Sequence, residues 1–404
     1  MNALKPSENW RLTMAACFIG SASQAAVNNY APLLFLTFRS TFGLSLGQVT
    51  LLVTFNFLIQ LLVDLLSAGV ADKIGYRPCL AAAQFLSAAG LAGLGIFPFW
   101  LPPFWGLLLA VFLYAIGGGL VEVLVSPVME GCPTERKDAA MSLLHSFYCW
   151  GVMAVILLST GFFALFGIKS WPAVAVFWAV LPFVNGFLFL RVPIRPPVAP
   201  EESHSIAALL KKPLFWLFVL LMFASGAAEL SMSQWASAFV ESGLRVPKAL
   251  GDLLGPCLFA GCMGLSRLLF AKKSASLPLK RFMLAGGGLC LVTYLVTALS
   301  PLPALALFTC AATGFGVGVL WPGTFSLASA AIPKGGTALF ALLALAGDLG
   351  GTTGPTLVGF VSARCGGSLR AGLLAALVFP VLLLAGLLPL ILKKKGGRTD
   401  GELR

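Results

Sequence analysis

Charged residues are scarce in this sequence: Asp, Glu, Lys and Arg make up 10% of its 404 residues, whereas a soluble domain carries about 25%. Hydrophobic residues make up 58%. One aqueous core cannot hide so many apolar side chains, because single cores stop growing at about 250–300 residues. The composition excludes a cytosolic enzyme, a disordered chain and a collagen-like fibre. It fits a helical protein that crosses a membrane many times.

Clustered metal or redox ligands are also missing. The nine cysteines are scattered singly, no Cys-x-x-Cys pair occurs, and there are only two histidines. We therefore predict no disulfide framework, no metal site and no cofactor apart from a transported H⁺ or Na⁺. A membrane enzyme such as a lipid transferase would need a nucleophile and base pair or a metal cluster near one interface. One histidine, His204, falls in a polar segment, so we predict that the protein is not an enzyme.

Long apolar runs are what the sequence does have. Each run is continuously apolar over about 20 residues, the length of a helix that crosses a bilayer core of about 30 Å. Strands of a membrane barrel would instead alternate apolar and polar residues. The runs fall at 12–38, 47–70, 79–99, 105–129, 139–166, 172–190, 213–240, 250–271, 282–300, 304–330, 336–362 and 369–392. The sequence predicts an all-α membrane protein with twelve spanning helices; the first run is too long for a cleaved signal segment.

One long polar segment, at residues 191–212, divides the runs into two sets of six. We predict an N-terminal six-helix bundle at 1–190, a cytoplasmic linker at 191–212 and a C-terminal six-helix bundle at 213–404. The halves look related by a shift of about 200 residues, since Asp72 and Pro133 fall opposite Lys272 and Pro333. Two related halves around a site at the middle of the membrane are typical of secondary transporters.

The net charge of +12 is explained by topology, so we expect no nucleic-acid partner. If both termini lie in the cytoplasm, 21 of the 27 basic residues fall in cytoplasmic segments and 6 fall outside. This bias is the positive-inside rule. The sequence predicts a multi-pass protein of the bacterial inner membrane with both termini cytoplasmic, surrounded by the lipid bilayer and monomeric.

Four carboxylates lie well inside apolar runs: Asp64, Glu122, Glu229 and Asp348. A charge at the bilayer centre costs about 2.5–3.5 kcal/mol on insertion scales, so such residues are usually functional. No Lys or Arg is expected at comparable depth. These acids should therefore be protonated or meet a cation, which favours H⁺ or Na⁺ coupling or a cationic substrate and disfavours an anionic one.

The four acids have different local sequences. Glu122 follows Gly117–Gly119 and precedes Pro127, a pattern that lets a helix or ligand approach and interrupts the helix. Asp348 precedes several glycines, which predicts a flexible eleventh helix. We predict Glu122, Glu229 and Asp348 as ion-coupling residues. Asp64 is predicted as a gating acid, with helix packing as an open alternative.

Neutral polar groups and flat aromatic rings surround these acids along the sequence. Amides both donate and accept hydrogen bonds, and aromatic rings stack on sugar faces or cations, so the mixture suits a neutral polyhydroxylated ligand. For each amide the alternative is a hydrogen bond between helices, and for His145 it is a buried neutral ring. The predicted substrate-binding residues are Gln24, Asn28, Asn29, Asn56, Gln60, Glu122, His145, Tyr148, Gln234, Trp235 and Trp321.

The segment GVADKIGYR at 69–77 resembles a cytoplasmic loop signature of the major facilitator superfamily, G-x-x-A-D-[RK]-x-G-x-[RK]. With twelve runs and a central linker, the chain is identified as a member of that superfamily. The resemblance implies that Asp72 and Arg77 act in gating. The second half retains a degenerate copy, of which Arg267 is the basic residue predicted to gate.

Two further segments resemble the fucose/glucose-permease group of sugar:cation symporters. They are GLVEVLVSP at 119–127 and SLLHSFY at 142–148; Gly226 to Trp235 and the pair Asn28-Asn29 also resemble elements of that group. The resemblance implies that Glu122 belongs to the sugar and proton site. The chain departs from the group near Ala31, where the group carries a second acid, and at Ser126, which replaces an Asn.

These observations predict a secondary active transporter. The first hypothesis is an H⁺- or Na⁺-coupled symporter of a neutral sugar or similar small polar solute, working by alternating access. The alternative is a proton-coupled efflux antiporter of organic cations or drugs, which the acids and the many aromatic residues favour.

Overall fold

The protein is described here by a computed structural model that covers residues 9–244 and 253–392. Throughout these ranges the regular structure is helical, as predicted. The first six long helices are α1 (Trp10–Leu33), α2 (Leu46–Ile74), α3 (Tyr76–Trp100), α4 (Pro103–Gly131), α5 (Lys137–Phe166) and α6 (Trp171–Arg191). The next six are α7 (Pro213–Leu244), α8 (Leu258–Lys273), α9 (Leu279–Leu299), α10 (Pro303–Val317 and Leu320–Ala331), α11 (Gly336–Arg364) and α12 (Leu369–Ala375 and Val378–Leu392).

Each of the twelve predicted apolar runs corresponds to one of these helices. Ten helical segments in the described ranges are long and apolar enough to cross a membrane by themselves. The other two are α1, whose middle carries three amide side chains, and α8, whose regular part has 16 residues after a π-helical turn at Leu253–Cys257. The predicted all-α membrane fold with twelve helices is confirmed.

Prolines interrupt three helices at points that hydropathy did not predict. The break in α10 lies at Gly318 and the break in α12 lies at Ala376, each four residues before a proline. Proline has no N–H to bond the carbonyl four residues earlier, and its ring crowds that carbonyl. Helix α1 ends shortly after Pro32 and resumes as a short helix at Phe35–Phe42.

The turn between α2 and α3 depends on a glycine. Gly75 has a φ of 97°, a backbone conformation that residues other than glycine rarely adopt. It ends α2, and α3 begins at the next residue, Tyr76. Gly69 of the same segment has no atom within 4 Å of an added Cβ. The loop signature therefore needs its second glycine for the turn, whereas the first glycine makes no close contact with another helix.

The glycines of α11 serve packing, which corrects the expectation of a flexible helix. α11 is one continuous helix from Gly336 to Arg364. A Cβ at Gly350 would lie 3.0 Å from the Cα of Phe223, and one at Gly354 would lie 3.0 Å from the Cα of Ala227. The absence of side chains lets α11 and α7 approach backbone to backbone, so the glycine-rich sequence produces a tight interface instead of mobility.

The two sets of six helices pack with the same internal pairing. In the first set α1 packs on α5, α3 on α4 and α6, and α2 on α4; in the second, α7 packs on α11, α9 on α10 and α12, and α8 on α10. Each pair recurs six helices later, which supports the prediction of two related bundles. The domain boundaries themselves stay a prediction.

Alternate helix ends meet at one face, which we call the basic face. It holds the start of α1, the α2–α3 and α4–α5 turns, the 191–212 segment and the end of α12. Thr13 donates a 2.6 Å hydrogen bond to the Pro193 carbonyl there, and Lys280 bonds the Leu390 carbonyl at 2.9 Å. At the opposite face, Tyr30 of α1 donates a 2.5 Å hydrogen bond to the Trp171 carbonyl at the start of α6.

The two bundles contact each other chiefly through α2 on α11 and α5 on α8. Polar bonds join them toward the basic face: Tyr76 bonds Thr337 at 2.6 Å, and Arg136 donates to Ser274 at 2.9 Å. Farther along, Ala25, Val152 and Ala260 belong to one apolar cluster of α1, α5 and α8. The structure is therefore closed between the bundles at the basic face.

Candidate substrate and coupling site

The site begins with three successive glycines on α4 that each face a different helix. A Cβ at Gly117 would meet α3 at Ser87, one at Gly118 would meet α1 at Val27, and one at Gly119 would meet α2. Since none of the three carries a side chain, α4 lies close to all three neighbours. Glu122, one turn later, is thereby held at the point where α1, α2 and α4 converge.

Glu122 is paired with an amide. Gln24 on α1 is buried and donates from Nε2 to Oε2 of Glu122 at 2.5 Å. The amide supplies a donor without supplying a charge, so it orients the carboxyl group whether or not the acid is protonated. The structure thus joins two predicted site residues that lie 98 positions apart in the chain.

A second group of amides bridges α1 and α2. Nε2 of Gln60 donates to Oδ1 of Asn28 at 2.9 Å and to Oδ1 of Asn56 at 3.1 Å. Asn56 and Gln60 are both buried. The Gln60 amide therefore links Asn28 to Asn56. We call these three predicted substrate-binding residues the amide bridge. This is both helix packing and an ordered row of groups that can exchange hydrogen bonds with a ligand.

Tyr148 on α5 extends this row. Its hydroxyl neighbours the side chains of Asn28 and Asn29. Asn29 itself donates to the Ala25 carbonyl of its own helix at 2.9 Å, which leaves its carbonyl oxygen for other partners. Phenol, amides and carboxyl from α1, α2, α4 and α5 thus face one another within the first bundle.

Arg267 corrects the expectation that the membrane acids have no basic partner. It is 3% exposed, and its Nη2 lies 3.6 Å from Oε2 of Glu229. Its place in the degenerate second copy of the loop signature predicted a gating residue. The neighbouring Gly264 instead lets α8 pack closely against Cys149 and Trp150 of α5, so the long side chain of Arg267 extends between the helices.

The other donors of Arg267 bind backbone and sulfur. Nε donates to the Gly318 carbonyl at 2.6 Å, and Nη1 donates to the His145 carbonyl at 2.8 Å and to Cys149 Sγ at 3.1 Å. The Gly318 carbonyl is free because Pro322 has no N–H to donate four residues later. Arg267 therefore connects Glu229 on α7, the break in α10 and α5 of the other bundle.

His145 lies beside this arginine but is not part of the ion pair. Its Nε2 is 3.2 Å from Ser126 Oγ on α4, and its ring stacks on Phe325 of α10 with centroids 6.0 Å apart. The half-buried ring is enclosed by a hydroxyl, an aromatic ring and a cation. The arrangement fits a neutral, hydrogen-bonded histidine that positions α5 against α4.

Three predicted binding residues on α7 and α10 have other surroundings. Trp235 donates to the Pro355 carbonyl at 3.2 Å and packs on Gly359, so its ring joins α7 to α11. Gln234 is exposed. Trp321 packs on Gly226 with its ring 3.2 Å from an added Cβ, beside the Glu229 side of the site. Of the three, Trp321 is the one placed next to the predicted coupling acids Glu229 and Asp348, because it packs on Gly226 and Gly347.

Asp64 and Asp348 form a pair that the sequence did not suggest. Asp64 on α2 is fully buried and Asp348 lies on α11 of the other bundle, and their side chains lie together. Glu122 is a third acid close enough to interact electrostatically with both. A predicted gating residue and a predicted coupling residue therefore meet where the bundles touch.

The loop signature has two distinct roles in the structure. Asp72 accepts a hydrogen bond from the Thr337 hydroxyl at the start of α11, which places it between the bundles as a gating residue requires. Arg77 instead donates to the Leu190 carbonyl at 3.3 Å and the Val192 carbonyl at 3.1 Å. Arg77 thus bonds free carbonyl groups at the end of α6 within its own bundle. The predicted gating role would have placed it in contact with the other bundle.

Several residues around the site were not singled out from the sequence. Tyr76 and Thr337 hold α3 on α11, and Phe325 stacks on His145. Each is a common helix residue with no distinctive spacing. The Gly318 carbonyl could have been found from the sequence, because a proline such as Pro322 leaves the carbonyl four residues earlier without a helical donor in any helix.

The sequence matches a family model and also resembles individual known proteins. A family model described as Major Facilitator Superfamily matches residues 16–355. An uncharacterized MFS-type transporter, YcaD of Escherichia coli O139:H28, is 24% identical over 230 residues, which are 52% of this chain. The matched stretch spans 58% of that relative's length.

Solved structures share the fold. The MFS transporter FucP in its outward conformation superposes with a TM-score of 0.78 at 14% identity, covering 94% of this chain and 98% of FucP. The proton:xylose symporter XylE, bound to 6-bromo-6-deoxy-D-glucose, gives a TM-score of 0.81 at 12% identity over 95% of each chain. The family match over most of the chain, together with the twelve-helix fold, shows that this chain is a multi-pass membrane protein that belongs to the Major Facilitator Superfamily.

Proposed function

We propose that this transporter couples the movement of a cation to symport of a neutral sugar or similar small polar solute by alternating access. The observation that carries the proposal is the Gln24–Glu122 pair beside the amide bridge. In this pair, Glu122 is an acid that can bind and release a cation. The bridge supplies neutral donors and acceptors of the kind that bind hydroxyl groups.

The position of Arg267 argues against an anionic substrate. Its guanidinium is already bonded to Glu229, two carbonyl groups and a sulfur. An anionic solute would have to displace several of these partners and leave them unpaired in a buried site. Within the described residues no group of three or more His, Cys, Asp or Glu is placed to hold a metal ion. A proton is therefore the simplest ion for Glu122, with Na⁺ as the other candidate.

The solved relatives support this choice without establishing it. XylE is titled a proton:xylose symporter and FucP of E. coli a fucose:proton symporter. Both move a neutral sugar together with a proton. This chain shares their fold at low sequence identity, and it offers an acid and amides in its first bundle.

Glu122 is the proposed coupling residue because of where its charge would lie. When the site is closed from water, an unpaired carboxylate among apolar helices is costly, so the acid must be neutralised before the bundles can move. When the site opens, water stabilises the carboxylate and the cation leaves. A carrier that moves only in the neutralised form links substrate movement to the cation gradient.

The test is uptake of labelled sugars and polyols into membrane vesicles by wild type and Glu122→Gln. Because Gln is always neutral, we expect the variant to lose accumulation against a gradient but to retain exchange of substrate across the membrane. Glu201→Gln, which removes an acid in the 191–212 segment, should leave both activities unchanged. Wild-type accumulation by Glu122→Gln would refute the assignment, and Glu229 or Asp348 would then be the next residue to substitute.

A second candidate is proton-coupled efflux of organic cations. It is favoured by Glu122, Asp64 and Asp348, three acids close together with no basic residue paired to them among the described side chains. Under this alternative, vesicles would accumulate a lipophilic cation in exchange for protons and would not accumulate any neutral sugar. The same vesicle assay, run with both substrate classes, separates the two functions.

Several coarser assignments accompany the proposal. We propose a monomer in the bacterial inner membrane, surrounded by lipid, with the basic face toward the cytoplasm and both termini on that side. The concentration of Lys and Arg at the basic face supports this orientation.

A further inference from the structure

The interface between α2 and α11 has polar contacts at two depths. At the basic face, Thr337 of α11 bonds both Asp72 and Tyr76. Ten or so residues deeper into each helix, Asp64 and Asp348 meet. In the outer contact hydroxyl groups donate the hydrogen bonds, so no additional donor is required. The inner contact consists of two carboxyl groups from different bundles.

The inner contact has no donor. Both carboxyl oxygens of Asp64 are buried, and no hydrogen-bond donor of the described residues reaches either of them. Its side chain is 0% exposed. Two ionised carboxylates in contact would repel each other strongly, and the carboxylate of Asp64 would lack the hydrogen bonds that a buried charge requires. Something positive must therefore lie between them in this closed state.

The surrounding charges do not supply it. Glu122 on α4 is a third acid near the pair, and α7 contributes Glu229, which is bonded to Arg267. No Lys, Arg or His side chain is bonded to Asp64 among the described residues. A metal ion would require more ligands than two carboxyl groups, and no three acids, histidines or cysteines of the described residues are placed so that they could hold one. A single proton satisfies both acids, since one becomes a donor and the other accepts.

We propose that Asp64 and Asp348 are a proton-binding pair that joins the two bundles and holds the basic face closed. The proton bridges the pair while α2 and α11 are in contact. When the bundles separate, each carboxyl group meets water and the proton is released. The proposal rests on the proposed cation-coupled transport for its purpose, but it makes a claim about the bundles that needs no substrate.

The direction of the pH effect follows from linkage. The closed state binds one more proton than the open state, so low pH favours closure at the basic face and high pH favours opening. Replacement of either acid by Asn supplies a permanent amide donor to the remaining carboxylate. Asp64→Asn and Asp348→Asn should therefore each close the basic face at every pH.

The experiment measures the distance between bundles by pulsed EPR in purified protein without substrate. Spin labels are placed at Lys73→Cys and Lys272→Cys, exposed positions at the ends of α2 and α8, in a Cys262→Ser/Cys365→Ser background. We expect a short distance at pH 5.5 and a longer one at pH 9. In Asp64→Asn and in Asp348→Asn, the short distance should persist at both pH values.

Glu135→Gln, which removes an exposed acid at the same face, is the matched control and should behave as wild type. Two reciprocal Asn variants are used so that misfolding of one leaves the other as a test. A distance that is independent of pH in the parent protein overturns the proposal, as does a pH response that survives in both Asn variants. A response to Na⁺ in place of K⁺ at constant pH overturns the assignment to a proton. Failure of Glu122→Gln in the uptake assay affects the proposed function and leaves this result unchanged.

Discussion

A buried guanidinium has five N–H donors, and a single carboxylate cannot satisfy them all. Arg267 solves this with four partners from three helices: Glu229, the Gly318 and His145 carbonyls, and Cys149. The arginine is therefore as much a backbone ligand as an ion-pair partner. Removing the Arg267 side chain should leave more groups without a hydrogen-bond or ion-pair partner than removing the carboxylate of Glu229.

Arg267→Met should consequently be more destabilising than Glu229→Gln. Removing one member of a buried ion pair costs about 3–5 kcal/mol, and the arginine variant also leaves the Gly318 carbonyl without a donor. Thermal unfolding of the purified variants would measure the order. Arg281→Met, at an exposed position of α9, is the control and should change stability by about 0.5 kcal/mol or less. Equal destabilisation by both site variants would contradict the four-partner description.

Two buried glutamines in the first bundle provide a second residue-scale test. Gln60 bridges Asn28 and Asn56, whereas neither polar atom of Gln84 has a hydrogen-bond partner among the described residues. Gln60→Leu should lower stability by about 1 kcal/mol and weaken substrate binding, because it leaves two amide oxygens unpaired. Gln84→Leu should be neutral or stabilising, because it removes an amide that is already unpaired. Thermal unfolding and substrate-protection measurements on both variants would check this contrast.

Helix α10 shows how one proline shapes a site on a different helix. Pro322 leaves the Gly318 carbonyl without a helical donor, and Arg267 of α8 takes that carbonyl at 2.6 Å. In α12, Pro380 follows Ala376 with the same spacing, but no predicted site residue lies there. The two helices thus contain the same type of break, and only one of them is connected to the ionic network.

Pro322→Ala should therefore impair transport, while Pro380→Ala should be tolerated. The alanine at 322 restores an N–H that competes with Arg267 for the Gly318 carbonyl, which straightens α10 and disturbs the Glu229 pair. Uptake rates at equal protein levels are the measurement. Transport reduced equally by both substitutions would indicate that the breaks matter only for helix shape.

At the scale of the whole molecule, the two bundles repeat one pairing scheme and meet through α2 on α11 and α5 on α8. These two contacts are equivalent by the same repeat, because α2 corresponds to α8 and α5 corresponds to α11. Both carry polar bonds near the basic face. Rocking of one bundle on the other would open that face by breaking both contacts.

The orientation of the molecule can be tested with a native residue. Cys365 lies just beyond α11 on the face opposite the basic face and is exposed. In intact cells, a membrane-impermeant thiol reagent should label the wild type, and Cys365→Ser should abolish most of that labelling. Lys334→Cys in the Cys365→Ser background should react only after the cells are permeabilised. Labelling of Lys334→Cys in intact cells would invert the proposed topology.

The sequence by itself determined the twelve helices and the membrane setting, because the bilayer imposes a fixed apolar length on every span. It also identified the four acids inside apolar runs, since a charge there is costly enough to be conspicuous. The family followed from the loop signature around Asp72 and is confirmed by the match over residues 16–355.

The partners of those acids were decided only by the tertiary structure. Arg267 looked like a loop residue, and Asp64 and Asp348 are separated by most of the chain, yet packing of α8 on α5 and of α2 on α11 brings them into the site. Hydropathy reports how deep a residue lies but carries no information on which helix it faces. That facing depends on close approach of helices at small residues such as Gly119 and Gly264, where side chains from distant parts of the chain meet.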